Sequence, residues 1–256
     1  MRSQVARVLG ILWVLALSIP TAWASETEGS SSEDWSFTVT PYVWAISLKG
    51  SAAPLPPFPA TDFEASFGDI WKDLNLGFFG VAELRKGKFG IINDVIWADI
   101  SMDSSGPLPP AFGSFVKVDS TSVIASLLGA YRLLEQERGW LDLVVGVRGY
   151  YIDTSLDVGP GGIFFTSEHT EGWVDAMAGI RARIELGMGF HAAALLLGGG
   201  GGSSSAADIG GRIGYSFTDN LSTYAGYRFL KIDYKNNGFV WDVEYQGPLV
   251  GGSYKF

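Results

Sequence analysis

Two histidines are the residues of this sequence best suited to catalytic chemistry. His169 lies between Glu168 and Glu171, where a carboxylate could orient the imidazole as a general base for hydrolysis. His191 has no carboxylate beside it. No Ser-His-Asp spacing can be recognised, because such partners meet only in the folded chain. With no cysteine and no histidine pair at helical spacing, we expect no metal, no cofactor and no enzyme, and a hydrolase centred on His169 is an alternative.

Arginines and carboxylates form a second group, because they recur at every second position of several apolar segments. In the segment 173–186, Asp175, Arg181 and Arg183 share one face, while the other face carries only Val, Ala, Ile and Leu side chains. Opposite charges on one face of neighbouring strands can form ion pairs. The residues assigned to this charged face are Glu83, Arg85, Arg132, Asp142, Arg148, Asp175, Arg181, Arg183, Glu185, Asp208, Arg212 and Arg228.

Long β-strands must position these charges. Alternation with a period of two is typical of strands, and here it persists beyond the about 5 or 6 residues usual in soluble sheets. Short turns alternate with longer Pro- or Gly-rich connections, as in outer-membrane barrels. A barrel with both ends of the chain on one side of the membrane needs an even number of strands, so eight or twelve strands are the alternatives to ten. We predict ten strands, near residues 35–48, 75–85, 88–102, 115–134, 140–153, 172–186, 190–197, 205–217, 220–234 and 239–256.

The composition excludes several classes of protein. The 256 residues are 47% hydrophobic and 14% aromatic and contain no cysteine, which excludes a disordered chain and a disulfide scaffold. A formal net charge of -9 argues against a nucleic-acid partner, because phosphates require a basic surface. The mean hydropathy of +0.19 is high for a water-soluble protein.

The first residues have the pattern of an export signal. Arg2 and Arg7 precede a short apolar run, Val8 to Ile19, and Ala22-Trp23-Ala24 has the small-x-small form that signal peptidase cleaves. We expect a signal peptide over 1–24 and a periplasmic N-terminal segment over 25–34.

Nothing later in the sequence can form a membrane helix. The most apolar run, Ala192 to Leu197, is far shorter than the about 20 residues that a spanning helix needs. Export and long alternating strands therefore favour a transmembrane β-barrel with an apolar outside and a polar lumen. Closure of the barrel also satisfies every backbone hydrogen-bonding group in lipid.

Two segments depart from plain alternation. Asn93 and Asp94 fall on opposite faces of one predicted strand, which a β-bulge would reconcile. In the first long connection, the segment 66–74 places apolar residues at helical spacing behind Ser66 and Asp69, which fit the positions of a helix cap. This predicts a short helix in the first outer loop, either a lid over the barrel mouth or a helix resting on its rim.

The end of the sequence carries a family resemblance. Gly251, Tyr254 and the terminal Phe256 resemble the C-terminal assembly signal of bacterial outer-membrane proteins, although Leu249 stands where that signal usually has a polar residue. In size and layout the chain is similar to the small outer-membrane barrels of the OmpA and OmpW type. This resemblance is architectural and transfers no catalytic or binding residue.

Together these observations predict an all-β chain: a transmembrane antiparallel up-and-down β-barrel over 35–256. We expect it in the outer membrane of a Gram-negative cell envelope, as a monomer, with membrane lipid and the assembly machinery as partners. Charges that share so narrow a bore must pair, so we expect a mostly occluded polar lumen. The expected role is structural, adhesive or ligand-binding. A narrow, porin-like channel that favours anions is the alternative.

Overall fold

Twelve β-strands and one short helix make up the part of the chain that the structure, a computed structural model, describes: residues 34–56, 59–104, 115–159 and 165–256. The predicted signal peptide, 1–24, lies outside these ranges, and so does the segment 25–34 except for Asp34. No helix of the described part is long and apolar enough to cross a membrane.

The elements follow one another with short connections at one end of the sheet. In chain order they are β1 (Trp35–Trp44), β2 (Ser47–Ala53), β3 (Thr61–Ala65), α1 (Phe67–Asp73), β4 (Leu74–Lys86), β5 (Phe89–Ser104), β6 (Phe115–Gln136), β7 (Gly139–Gly159), β8 (Phe165–Gly187), β9 (Phe190–Gly201), β10 (Ser205–Ser216), β11 (Leu221–Asn236) and β12 (Phe239–Lys255).

Ten of the strands close into an antiparallel barrel, because β1 pairs with both β4 and β12. From β4 to β12 each strand pairs with the next one in the sequence. β2 continues β1 along the upper part of β12, and β3 pairs with β2 at the edge of the sheet. The prediction of an all-β antiparallel barrel of ten strands with a short helix in the first outer loop is confirmed.

The two ends of the barrel differ in their connections. The start of β1 and the end of β12 lie together, at the same end as the short turns after β4, β6, β8 and β10. Gly87 and Met188 adopt the left-handed conformation in two of these turns, each with a φ of 52°. Outer-membrane barrels keep short turns on the periplasmic side, so this is the periplasmic end and the opposite one is the outer end.

The outward face of the wall changes from apolar to charged at one level. On β12, Val250 and Tyr254 face outward near the periplasmic end, with 54% and 46% of their surfaces exposed. Asp242 and Glu244 occupy the same face toward the outer end, and the Lys231 ammonium of β11 lies 2.8 Å from the Glu244 carboxylate. Only the apolar band can contact lipid, so the outer parts of the strands extend beyond the bilayer.

Inside the barrel the polarity is reversed at the same level. The inward side chains of the outer part form an outer apolar cluster, in which Leu230, Ile232 and Val243 are completely buried. The predicted polar lumen is therefore wrong for this part of the barrel. The physical reason is that water, not lipid, surrounds the wall here, so the sheet buries its apolar face as a soluble protein does. Tyr42 and Tyr224, which pair with Gly251, extend this cluster toward the middle of the barrel. The buried members of the cluster are Tyr42, Trp44, Ile46, Ile96, Ile124, Tyr150, Ile152, Trp173, Tyr224, Leu230, Ile232, Tyr234, Phe239, Trp241, Val243 and Tyr245.

This reversal predicts a contrast between two neighbours on β11. Leu230→Ala should lower the free energy of unfolding by about 2–5 kcal/mol, because it leaves a cavity in the outer apolar cluster. Lys231→Ala removes only the surface ion pairs with Glu244 and Asp242 and should cost less than about 1 kcal/mol. Urea unfolding of both variants in lipid vesicles, followed by tryptophan fluorescence, measures the difference. Equal losses would contradict the inside-outside assignment of β11.

Several strand boundaries differ from the predicted ones. β7 and β8 extend further toward the outer end, and the first predicted strand is interrupted between Trp44 and Ser47. No β-bulge reconciles Asn93 with Asp94, because both ladders of β5 run through these residues without a shift. Asn93 faces outward, where its side-chain amide donates a hydrogen bond of 3.1 Å to the backbone carbonyl of Ser126. That bond satisfies a polar side chain on the apolar face.

The helix α1 begins with the predicted cap. The Ser66 hydroxyl accepts a hydrogen bond from the Asp69 backbone amide, and the Asp69 carboxylate accepts one from the Ser66 amide. The hydrogen bonds from Ser66 hold the pKa of Asp69 below its usual value. None of the residues of α1 is buried, and the exposed Trp71 has 59% of its surface accessible. The helix contacts β2 and β5 without being buried in the lumen, as expected for a helix on the rim.

Candidate functional site

The centre of the lumen holds a cluster of buried charges, here called the central cluster: Tyr42, Asp94, Arg148, Asp208 and Arg228. Asp208 accepts hydrogen bonds from both arginines, at 2.6 Å from Arg148 and at 2.7 and 2.9 Å from Arg228. Arg228 also donates to Asp94 at 2.6 Å and to the Tyr42 hydroxyl at 2.8 Å. Two arginines therefore face two carboxylates, and this part of the lumen is electrically balanced.

The pairing makes burial of these charges possible. Asp208 is completely buried, and Arg148 and Arg228 are nearly so. Removing an isolated charge from water costs several kcal/mol, about as much as good pairing and hydrogen bonding can recover. The ring of Trp44 adds a cation–π contact, with its centre 5.3 Å from the Arg228 guanidinium carbon.

A second group of charges, the periplasmic cluster, lies nearer the short turns: Glu83, Arg85, Arg132, Asp142 and Arg181. Asp142 is completely buried and accepts hydrogen bonds from Arg85 and Arg132 at 2.5 Å each. Arg181 donates to Asp142 and, through two nitrogens, to Glu83 at 2.5 and 2.7 Å. The ring of Trp140 covers the guanidinium groups of Arg132 and Arg181 at 4.7 and 5.1 Å.

Both clusters bridge the bore of the barrel. Arg181 is on β8 and Glu83 on β4, and β5, β6 and β7 separate these strands in the wall. Arg228 on β11 and Asp94 on β5 are separated by β12, β1 and β4. Hydrogen bonds between such distant strands can form only across the lumen, so the side chains obstruct it at two levels.

The structure joins most of the charges assigned from the sequence in the two clusters, and it places Asp175, Arg183, Glu185 and Arg212 outside them. Asp175 accepts a hydrogen bond of 2.7 Å from the backbone amide of Ser203, in the hairpin between β9 and β10, and makes no ion pair among the described residues. Arg183 pairs with Glu185 at 2.6 Å beside the periplasmic turn. Arg212 stacks on the ring of Tyr224 at 4.5 Å and has no carboxylate partner within the described ranges.

Sequence reasoning missed Asp94 and Tyr42. Asp94 was omitted because its neighbour Asn93 made the faces of that strand ambiguous. The signal that could have found it is the buried alternation of Ile92, Asp94 and Ile96, which places the carboxylate inward with two aliphatic residues. Tyr42 carries no charge, and only the fold brings its hydroxyl within 3.1 Å of Asp94.

The histidines occupy opposite ends of the barrel. His169 lies on the outer part of β8, with its Nε2 3.2 Å from the Glu171 carboxylate and its ring stacked on Phe239. His191 is buried near the periplasmic turn, 3.4 Å from the Ser216 hydroxyl. Among the described residues, no group of three or more His, Cys, Asp and Glu side chains could hold a metal ion.

Glu171 ties β8 to β11 outside the bilayer. It accepts hydrogen bonds from the Tyr234 hydroxyl at 2.6 Å and from the Asn236 amide at 3.1 Å. Burial opposes its charge, but these donors and His169 outweigh burial and hold the pKa of Glu171 below its usual value. Burial and the bond to Glu171 raise the pKa of Tyr234 to about 12.

This depressed pKa predicts a loosening of the outer wall in acid. A carboxylate whose pKa is lowered by folding contributes stability above its unfolded pKa, and that contribution is lost as the pH falls through the folded value. The fluorescence of Trp173, whose ring stacks on Tyr234 at 3.9 Å, should therefore change on acidification below about pH 4. Glu171→Gln should abolish this change, and the exposed neighbour Glu168→Gln should preserve it. An unaltered acid transition in Glu171→Gln would contradict the assignment.

The residues of the predicted assembly signal lie on the last strand. Gly251 pairs with both Tyr42 and Tyr224, and a side chain there would collide with the Tyr224 hydroxyl. Tyr254 and Phe256 are exposed near the periplasmic end, and the Phe256 backbone amide donates a bond of 2.8 Å to Phe37. Their role as an assembly signal stays a prediction.

Comparisons with known proteins show the fold. No protein-family model matches the chain, and no curated protein matches its sequence. The chain is similar to the outer membrane protease OmpT from Escherichia coli, with 12% identity over 90% of this chain and 99% of that one, at a TM-score of 0.51. It is also similar to the translocator domain of the autotransporter NalP from Neisseria meningitidis, with 12% identity over 100% of this chain and 98% of that one, at a TM-score of 0.44. The chain therefore has the closed β-barrel fold of outer-membrane proteins, and its apolar outward band agrees with the predicted location in the outer membrane.

Proposed function

We propose that this protein is a closed outer-membrane barrel that holds a folded β-sheet wall outside the bilayer, in a structural and surface-binding role. The observation that carries the proposal is the outer apolar cluster. A channel mouth would be lined by polar side chains and water, whereas here Leu230, Ile232 and Val243 are completely buried inside the outer wall. The outer part is thus built as a rigid globular unit.

Obstruction at two further levels supports a closed barrel. The central and periplasmic clusters connect opposite sides of the lumen through buried ion pairs. A barrel of this strand number leaves little room beyond its own side chains. A continuous water path would have to pass both clusters and then the outer apolar cluster, which favours a closed barrel over the narrow channel.

The surroundings of His169 favour a structural role over catalysis. Glu171 is the acid within reach of its imidazole, and that carboxylate also accepts hydrogen bonds from Tyr234 and Asn236. A carboxylate held by these donors links strands and is a poor orienting group for a catalytic base. The likeness to a protease is a likeness of fold and carries no activity to this chain.

The outer hairpin of β7 and β8 is the part of the wall best suited to a test. Thr170 lies opposite Asp153 and donates a hydrogen bond of 3.0 Å to its carboxylate. Residues 154–169 can therefore be replaced by Asn-Gly, a dipeptide that closes hairpins tightly. Heat-modifiable migration in gels shows whether the trimmed barrel still folds.

The surface-binding role predicts that the trimmed protein folds but no longer supports cell attachment. Cells that produce the full chain should adhere to glass more than cells that produce equal amounts of the trimmed chain. As a matched control, Thr170→Ser in the full chain keeps the hydroxyl and should preserve adhesion. Equal adhesion of the full and trimmed chains would refute the surface-binding role while leaving the closed barrel in place.

A further inference from the structure

A cavity of ≈ 140 Å³ lies inside the barrel where the two charge clusters approach each other. Arg148 and Arg228 of the central cluster and Arg181 of the periplasmic cluster line it. Asp94 is the carboxylate in the lining, and it is paired with Arg228 at 2.6 Å. The remaining lining is mainly aliphatic and includes Leu195 and Leu197 of β9. The cavity therefore has a cationic side and an apolar side, the combination by which proteins recognise amphiphilic anions.

One arginine in this cavity is not neutralised. Arg212 lines the cavity and points inward, yet its side chain is exposed to solvent within the lumen. Its guanidinium contacts the Tyr224 ring, and no carboxylate among the described residues pairs with it. The central cluster is balanced by its own carboxylates, so Arg212 leaves a net positive charge facing the cavity.

A second donor in the same cavity has no partner. Arg148 is 1% exposed, and its Nη1 atom has no hydrogen-bond partner among the described residues. Its other nitrogens bind Ser126 and Asp208. A buried guanidinium nitrogen without an acceptor is costly. Arg148 thus adds a second guanidinium to the lining of this cavity, beside the charge of Arg212.

We propose that this cavity binds a small organic monoanion, with its carboxylate against Arg212 and its compact apolar body against Leu195 and Leu197. A carboxylate fits a guanidinium because two parallel hydrogen bonds can form between them. An apolar cavity of about 150 Å³ accommodates a molecule the size of benzene, which limits the body of the ligand to about one ring. Binding of this kind goes beyond the proposed surface role and does not depend on it.

Benzoate is the probe that matches this chemistry, and benzamide is its neutral counterpart of the same shape. Titration of the folded protein in detergent micelles by calorimetry should show saturable binding of benzoate at one site, and affinity for benzamide should be lower by at least about tenfold. Arg212→Gln should weaken benzoate binding by at least about tenfold as well. Arg183→Gln, which removes an inward arginine already paired with Glu185 outside the cavity, should leave the affinity within about twofold.

A spectroscopic measurement on the unaltered protein keeps the test independent of folding in the variants. Isotope-filtered NMR should detect contacts between the benzoate ring protons and the methyl groups of Leu195 and Leu197. Absence of saturable binding, equal affinity for benzamide, undiminished affinity in folded Arg212→Gln, or ring contacts only with outward residues such as Leu196 would each overturn the proposal. Loss of cell attachment in the trimmed hairpin variant has no bearing on any of these results.

Discussion

Replacing Asp208 by alanine should lower the free energy of unfolding by about 3–5 kcal/mol, among the largest single effects in this barrel. The carboxylate is completely buried and neutralises both Arg148 and Arg228. Its removal leaves two buried guanidinium groups with only Asp94 to balance them, and breaking a buried ion pair from one side costs this much. Urea unfolding in lipid vesicles, with refolding to establish equilibrium, provides the measurement.

The matched control for this prediction is a carboxylate on the outer surface. Asp242→Ala removes a half-exposed group whose cation partner, Lys231, lies 3.9 Å away, and it should cost less than about 1 kcal/mol. Asp208→Asn keeps the shape of the side chain and some hydrogen bonds but not the charge, so its cost should fall between the two. If Asp208→Ala were as mild as Asp242→Ala, the arginines would be hydrated and the lumen would hold water.

Ile180→Arg should destabilise the barrel in lipid by about 2–4 kcal/mol, the cost of a cation on the lipid face near the middle of the bilayer. Ile180 faces outward, is 41% exposed and pairs with Leu143 and Leu196, which also face outward. Thr170→Arg puts the same charge on the same face of β8, but beyond the apolar band and beside Asp153. We expect its cost to be less than about 1 kcal/mol.

The two arginine variants differ only in where the new charge lies along β8, so a difference in their stability reports the position of the bilayer. Unfolding of each in vesicles of one lipid composition, monitored by tryptophan fluorescence, gives the difference. A loss in Thr170→Arg as large as that in Ile180→Arg would place the bilayer further toward the outer end. If neither substitution lowered the free energy of unfolding, a water-soluble barrel would be favoured.

The sequence determines the inward and outward faces of the strands, because the period of two is a property of the extended backbone. Asp142, Arg148 and Asp208 lie inward, on the face to which the alternation assigns them. The alternation does not predict the level along the barrel at which the outward face changes from apolar to charged. Lys231, Asp242 and Glu244 alternate with apolar residues as regularly as lipid-facing residues do, and only the barrel shows that water surrounds them.

Partner choice inside the lumen depends on register, which alternation does not encode. Asp175 alternates correctly but meets the Ser203 backbone, because the short β9–β10 hairpin closes beside it. Arg181 binds Glu83 across the bore, a contact set by closure and strand tilt rather than by any local pattern. For Asp94 the face itself was not assigned, because the polar neighbour Asn93 faces outward and made the alternation of this strand appear irregular. The sequence pattern assigns each charged residue to a face of its strand, but only the closed barrel shows which charges form ion pairs.

Ion conductance in planar lipid bilayers tests the closed barrel most directly. The purified, folded protein should give no discrete conductance steps above the bilayer baseline, because two charge clusters and the outer apolar cluster obstruct the lumen in series. Joint replacement of Arg148 and Arg181 by serine should leave conductance near the baseline too, because the outer apolar cluster closes the barrel independently. Stable steps of porin size from the unaltered protein would contradict the account and show that the charges line an open water channel.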